Sequence, residues 1–482
     1  MLERDALLGG TTAISGGVVW APANRCQLEA GIRDTPEAAL HYLQELATGD
    51  VDVGLMATFV ADAPRVMDAL EAWAPLEWAL LTWPDYHSEM PSGMDGGRSI
   101  WPKPLTLPPA VASRVRRPVE LGDAPLDPAS DGVVFRGPVR GHALAGALVA
   151  ALVDAGVELR TSVRATGLLI DDGEDGEDGE VVGVEAAGGA LRGRVVLATG
   201  GFQHDARLAA TFLPVPGIAP LGTPGCAGDG LRMAMAAGAE LANMAEGWWM
   251  PALHVPGEVL DGAAYYRPLH SERAQPGSVM VDRAGRRFVD EAQNYGDVGR
   301  SLFRFDAATH TFPAAPCWLV FDAGYRATYP VGPVGPADPD PPWLVCAGSI
   351  EDLATTVGPG LPATIATFNK AAVAGEDAEF GRGSLPYDRW IGDAGRTLGP
   401  VEQPPFYAAA VVPGCLGTKG GPRTDDRGRV LRPGGAVIGG LYAVGNAAAS
   451  PFGTATAAGG ATLGPALVFG VRAGEAAGSH DG

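Results

Sequence analysis

Apolar residues recur at helical spacing in some stretches of the chain and as short continuous runs in others, the pattern of a mixed α/β protein. DTPEAALHYLQELATG is predicted as a helix, with Thr35 as its cap, Pro36 in the first helical position and Gly49 beyond its end. A second helix is read at about APRVMDALEAW. GHALAGALVAALVDAGVELRTSVRATGLLID passes from an apolar-faced helix through a stop at Gly156 into strands, and EVVGVEAA and GRVVLATGG supply further strands. Between them lies DDGEDGEDGE. Its alternating carboxylates would suit a calcium ion, but it lacks the ligand order of an EF-hand and sits between two short strands, so it reads as a solvated hairpin tip. YPVGPVGPADPDPPW is an extended, proline-stiffened surface loop or lid edge.

Composition narrows the class. At 482 residues, two domains or a split arrangement are expected. The 69 glycines and 41 prolines fall between apolar runs and show no repeat, which points to many turns and cofactor loops and not to disorder. Thirty-five basic against 56 acidic residues give a formal charge of -21, which repels nucleic acid and anionic lipid. The five cysteines form no CxxC pair and the eight histidines no HxxxH or Cys/His cluster, so neither a zinc site nor a disulfide framework is suggested. The longest late apolar run, ATLGPALVFGV, is too short to span a bilayer, and no signal-like start is visible. A reducing, cytoplasmic setting is the expectation.

Three glycine-rich segments carry the cofactor argument. In LLGGTTAISGG, Gly9, Gly10, Gly16 and Gly17 would let the backbone approach a ligand while Thr11, Thr12 and Ser15 offer hydroxyls. VVLATGGF reads as a buried strand ending in Ala198-Thr199-Gly200-Gly201, at the carboxyl edge of a parallel sheet where nucleotides bind. In GGLYAVGNAAASPFGTATAAGGATLGPALVFG a strand ends at Gly445-Asn446 and a helix begins near Ala461-Thr462, whose free N–H groups would stabilise negative charge on a reduced flavin. GDGLRM has only two of the glycines of a dinucleotide fingerprint and no strand leading into it, so it is rejected as one.

In this order the segments resemble the FAD-binding flavoprotein superfamily of fumarate reductases and 3-ketosteroid dehydrogenases. GGTTAISGGVVWAPAN, PPFYAAAVVPGCLGTKGG and GLYAVGNAAAS...GATLGPALVFG look most like the 3-ketosteroid Δ1-dehydrogenases. The resemblance implies an α/β, Rossmann-like FAD domain at residues 1–250 and 415–482, with an α+β substrate domain inserted at 251–414. It implies FAD contacts from Glu3, Gly10, Thr11, Thr12, Ser15, Gly16, Gly17, Val163, Ala198, Thr199, Gly200, Asp229, Gly445, Asn446, Ala461, Thr462 and Leu463, and no metal. In such folds a GxGxxG turn precedes the strand that ends in the ribose-binding acid. Glu3 in MLERD looks like that acid, and the preceding βα unit is absent from this sequence. A start assigned at an internal methionine is the favoured reading, because losing a central strand would strand buried backbone groups.

The implied substrate is an apolar polycyclic ketone, dehydrogenated beside its carbonyl and delivering electrons to an unidentified acceptor. Tyr295, in RRFVDEAQNYGDVG, matches the proton-abstracting tyrosine, and Tyr86, in WPDYHSEMPSG, the one assisting it. A phenol with a pKa near 10 needs such help to act as a base. Trp83 widens the apolar wall. The ketone clamp of that family is a Tyr-x-x-x-Gly pair before the last helix. Gly460 matches its glycine, but Thr456 stands at the tyrosine position, its hydroxyl roughly 4 Å short of a phenol's reach. Tyr265 and Tyr266 are possible substitutes, expected instead to pack. Cys415 reads as a small buried hydrophobe, Lys419 as a loop stabiliser or an approach to the site, and Phe380, Tyr387 and Trp390 as an aromatic edge or ordinary core. Two alternatives stand: a fumarate-reductase-like C=C reductase, for which no arginine cluster is evident beyond Arg286-Arg287, and a degenerate, non-catalytic member.

Overall fold

A computed structural model of the chain describes residues 1–49, 51–118, 139–171 and 179–479. Residues 172–178, most of the acidic run read as a hairpin tip, lie outside that set. The chain forms two compact units, one of Met1–Leu213, Gly222–Gly247 and Gly417–Gly482, the other of Pro214–Leu221 and Trp248–Leu416.

In the first unit the helix Pro36–Leu46 begins as its sequence dictates, with the Thr35 side chain accepting from the Ala38 N–H. The next helix, Val53–Trp73, starts well before the predicted APRVMDALEAW. Pro64 lies inside it, Asp52 caps the Leu55 N–H, and Met56, Phe59, Val60, Ala63, Val66, Met67 and Leu70 bury one continuous face. That burial offsets the backbone bond the proline ring removes. The helix Val139–Asp154 ends just before Gly156, whose φ of +71° provides the left-handed turn.

A small antiparallel sheet orders Val19–Trp20, Ser99–Pro102 and Trp78–Leu80, with Ser99–Pro102 in the middle. A second sheet orders Arg429–Leu431, Val437–Ala443 and Val195–Leu197, the last two parallel, so that both strands end at the same edge in the turns 198–201 and 444–447. Among the described residues Val195–Leu197 is an edge strand with Val196 40% exposed, which corrects the buried strand expected from its apolar run. At the start of the chain the Glu3 N–H donates to the Arg160 carbonyl (2.8 Å) and the Val163 N–H to the Glu3 carbonyl (2.9 Å), which sets Glu3 beside Val163.

The second unit, which interrupts the first in sequence, is built on one seven-stranded sheet. Its path runs Ala263–Pro268, Gly247–Leu260, Phe406–Thr418, Cys317–Phe321 and Ser278–Val281, with Val345–Ala347 and Ala219–Pro220 also pairing with Phe406–Thr418. Alternation along the strands divides the core. Val279, Val281 and Val320 pack with Leu353, Ile365 and Phe368 of the helices Ile350–Val357 and Leu361–Ala374. Met280, Leu319 and Phe321 pack on the other side with Leu302 and Tyr325. YPVGPVGPADPDPPW is tied down by Arg326, which donates to the Gly335 and Asp338 carbonyls and to Asp340.

Candidate active site

The segment 454–460 of the first unit, just before the final helix Leu463–Gly478, is held by hydrogen bonds from several directions. The Tyr86 N–H donates to the Ala457 carbonyl (2.9 Å), which also accepts from the Tyr42 hydroxyl (2.8 Å). The Ser99 hydroxyl donates to the Gly459 carbonyl (2.8 Å) and the Trp20 N–H to that of Gly460 (3.1 Å). Gly460 has φ +93°, and a Cβ there would stand 2.5 Å from the Trp20 nitrogen, so both conformation and space demand glycine. Its N–H has no acceptor among the described residues. The structure thus brings Tyr86, Thr456 and Gly460 to one place, where Trp83 lies 3.2 Å from the Cβ position of Gly459 and its ring meets Trp101 edge-on at 6.0 Å.

An ion network stands directly behind Tyr86. The neighbouring Asp85 is buried and accepts from the Trp20 indole (3.0 Å), the Met94 N–H (3.1 Å) and Arg98 (2.8 Å), while Arg98 also pairs with Asp34. Burial pushes the Asp85 carboxyl up to about 6, against the pull of Arg98. Asp34, Tyr42, Asp85 and Arg98 were missed in the sequence because they sit far apart along the chain. The Trp-Pro-Asp-Tyr run that carries Asp85 was the one available signal.

Tyr295 opens the helix Tyr295–Ser301 of the second unit, capped by the Asn294 side chain. It packs with Tyr266, Val412 and Leu416 against the core of Leu221, Met250 and Ala252. The His270 ring lies 5.3 Å from its own, and burial, with Arg273 reinforcing it, holds that imidazole well below its ordinary pKa and hence neutral. Tyr265 is buried beneath the Arg267 guanidinium. Tyr387 is core, with Trp390 tilted beside it at 5.4 Å. Cys415 is fully buried. Arg287 is committed to Glu291 (2.7 Å) and Asp377 (2.8 Å), which removes it as a grip for a dicarboxylate.

The cofactor candidates gather in the first unit. Gly17 has φ +66°, and a Cβ there would stand 2.5 Å from the Arg140 backbone, so this glycine serves the approach of the helix Val139–Asp154. The Ser15 hydroxyl bonds the Thr12 carbonyl (2.8 Å) and accepts from the Gly17 N–H (3.1 Å), with Gly16 between them. The Thr11 hydroxyl meets that of Thr223 (3.3 Å). Gly10 faces open space. Ala198, Thr199 and Gly200 follow the strand Val195–Leu197, Gly445 and Asn446 lie in the turn after Val437–Ala443, and Ala461 and Thr462 lead into the final helix at Leu463. The Asp229 carboxylate is held by Arg4 (3.0 Å) and Arg164 (2.6 Å). Burial raises the Glu3 carboxyl, which accepts from the Asp5 N–H (2.9 Å).

A polar cofactor fits this set. The Thr199 Oγ1 and Gln203 Oε1 atoms are buried without a hydrogen-bond partner among the described residues, on either side of Gly200-Gly201. Buried polar atoms of this kind are costly unless a ligand completes them.

Residues 1–463 match the family described as the FAD binding domain. The chain belongs to this family. It is 37% identical to a 4-oxocyclohexanecarboxylate 2-dehydrogenase of Sinomonas cyclohexanicum, over 100% of this chain and 90% of that protein. It is 33% identical to a 3-oxosteroid 1-dehydrogenase of Mycobacterium tuberculosis, over 98% and 92%. A solved 3-ketosteroid Δ1-dehydrogenase of Sterolibacterium denitrificans, in complex with 1,4-androstadiene-3,17-dione, superposes with a TM-score of 0.89 at 30% identity, covering 99% of this chain and 94% of that one. The protein is accordingly an FAD-dependent oxidoreductase of the 3-oxosteroid dehydrogenase type, acting on CH–CH groups. Among its described residues no helix is long and apolar enough to cross a membrane, and no group of three or more His, Cys, Asp or Glu side chains could hold a metal ion.

Proposed function

We propose that the protein introduces a double bond next to the carbonyl of a six-membered ring ketone, the part of a substrate common to the names of both relatives, with a 3-oxosteroid or similar polycycle as the class. The observation that carries this reading is the segment 454–460, where the Gly460 N–H, without an acceptor among the described residues, and the Thr456 hydroxyl stand beside Tyr86, with the Trp83 ring against Gly459. Two such donors hold a ketone oxygen and stabilise the negative charge that grows on it as the adjacent C–H loses its proton. Trp83 forms an apolar wall for a flat ring.

By resemblance to the 3-ketosteroid dehydrogenases, Tyr295 would be the base that takes that proton and Tyr86 the tyrosine that assists it. Bound FAD supplies the acceptor for the hydride that leaves the neighbouring carbon. Glu3 and Val163 would hold the adenosine end, the 10–17 segment with Ala198, Thr199 and Gly200 the middle, and Gly445, Asn446, Ala461, Thr462 and Leu463 the flavin end. Asp229 would act through Arg4 and Arg164. The commitment of Arg287 to Glu291 and Asp377 weighs against a fumarate-reductase-like reaction.

The test is anaerobic mixing of the flavin-loaded chain with androst-4-ene-3,17-dione and, separately, with 4-oxocyclohexanecarboxylate. Bleaching by the steroid supports the polycyclic class. Bleaching by the small keto acid alone, which the 37%-identical relative makes the second reading, moves the substrate to carboxylated monocycles. If neither ketone bleaches the flavin, the proposal falls.

A further inference from the structure

Lys419 is fully buried, and its backbone is fixed on both sides: its N–H donates to the Glu246 carbonyl (2.9 Å) and its own carbonyl accepts from the Ser450 N–H (2.8 Å). From there the side chain reaches the segment that carries the ketone clamp. Its Nζ lies 2.7 Å from the Ala455 carbonyl, 3.2 Å from that of Thr454 and 3.4 Å from Thr456 Oγ1. An ammonium has three donors and no lone pair, so Thr456 can only accept from it. The threonine proton is therefore directed elsewhere, and among the described residues it meets no acceptor.

We propose that Lys419 is a positioning residue for the dehydrogenation: its buried ammonium orients and polarises the Thr456 hydroxyl so that threonine serves as the second donor to the ketone oxygen. This rests on Thr456 and Gly460 being the clamp. An alkyl hydroxyl is a weaker acid than a phenol, and its reach is shorter. A charge-assisted bond to its oxygen makes its proton a stronger donor to the developing enolate. A lysine that only anchored the segment would satisfy the two carbonyls without affecting a charge on the ligand.

The two roles separate in a binding experiment that needs no turnover. The flavin-loaded chain is given 2,6-difluorophenol as a mimic of the enolate oxygen, and ¹⁹F NMR reads its ionisation across pH without interference from the flavin bands. The wild-type chain is expected to bind it as the phenolate well below the pH at which the free phenol ionises. Lys419→Met and Thr456→Val should each raise the bound midpoint by about one unit, and the double variant should raise it no further than either alone. Lys419→Arg, which keeps the charge, should stay within about half a unit of wild type. Retained flavin absorbance checks that each variant keeps its fold. If Lys419→Met does not fold, Lys419→Arg and Thr456→Val decide: an unshifted Thr456→Val overturns the proposal. An unshifted Lys419→Met, or a double variant whose shift is the sum of the singles, also overturns it. A wild-type protein that fails to hold the phenol at millimolar concentration overturns the clamp reading beneath it.

Discussion

The segment 454–460 and the surroundings of Tyr295 solve opposite problems. The first is a donor scaffold: five neighbouring groups, Tyr42, Tyr86, Ser99, Trp20 and Lys419, bond its carbonyls, and Gly460 is locked by a positive φ and by the Trp20 backbone. The second is an apolar setting in which a phenol packs against Leu221, Met250 and Ala252, next to a neutral, half-buried imidazole. Donors that stabilise charge must not move, whereas a base must be able to change charge. The first arrangement therefore stores geometry and the second proton affinity.

The sharpest way to break this division is Tyr295→Phe, which keeps the packing and deletes only the hydroxyl. Turnover is expected to fall by about 10²–10⁴-fold with flavin content and melting temperature nearly unchanged, as measured by stopped-flow flavin reduction. A fall of less than tenfold would move the base elsewhere. Gly460→Ala should come next. Its Cβ would meet the Trp20 backbone, so the segment has to shift, and reduction should slow by about 10²–10³-fold through loss of the donor position. Unlike Tyr295→Phe it should also lower the melting temperature, because the strain sits in the backbone.

These two residues also show how far the sequence could be read. Gly460 and Tyr295 could be singled out as candidates because each sits in a short contiguous motif, and the helix Pro36–Leu46 was legible because its cap, proline and apolar face are all local. The helix Val53–Trp73 was half legible, since Pro64 is a local signal that distant packing overrules. Lys419 beneath Thr456, and Tyr42 beneath Ala457, were not legible as partners. Their contacts join residues far apart in the chain, and no spacing rule connects them.

Tyr42→Phe probes that hidden support. The Tyr42 hydroxyl donates to the Ala457 carbonyl and accepts from the His87 N–H (3.1 Å), and removing it leaves both groups buried or half-buried without this partner. A loss of about 1–3 kcal/mol in stability is expected in urea denaturation, with a drop in turnover of about tenfold at most. A larger loss of turnover than of stability would show that Tyr42 does more than brace the segment.

The smallest effect concerns the buried carboxylates of the second unit. Burial, with Asp388 and Glu291 reinforcing it, pushes the Asp290 carboxyl up to about 8, whereas an unfolded aspartate titrates at about 3.9. Between those values the folded chain holds a proton that the unfolded chain has lost. The contribution of Asp290 is thus fully present below the unfolded value and is lost as pH rises through the folded one. His142, His204 and His270, all lowered by burial, act in the opposite direction, because their unfolded forms gain protons as pH falls below about 6.5. The wild-type melting curve therefore mixes both trends, and the difference between chains isolates one of them. Asp290→Asn keeps an acceptor for the Ala292 N–H (2.8 Å) and cannot ionise. Its melting temperature should match wild type near pH 4 and exceed it increasingly towards pH 8, while the rate of flavin reduction at each pH stays the same. A constant offset across that range would mean that Asp290 is ionised in the folded chain and that its proton is not part of the stability of this unit.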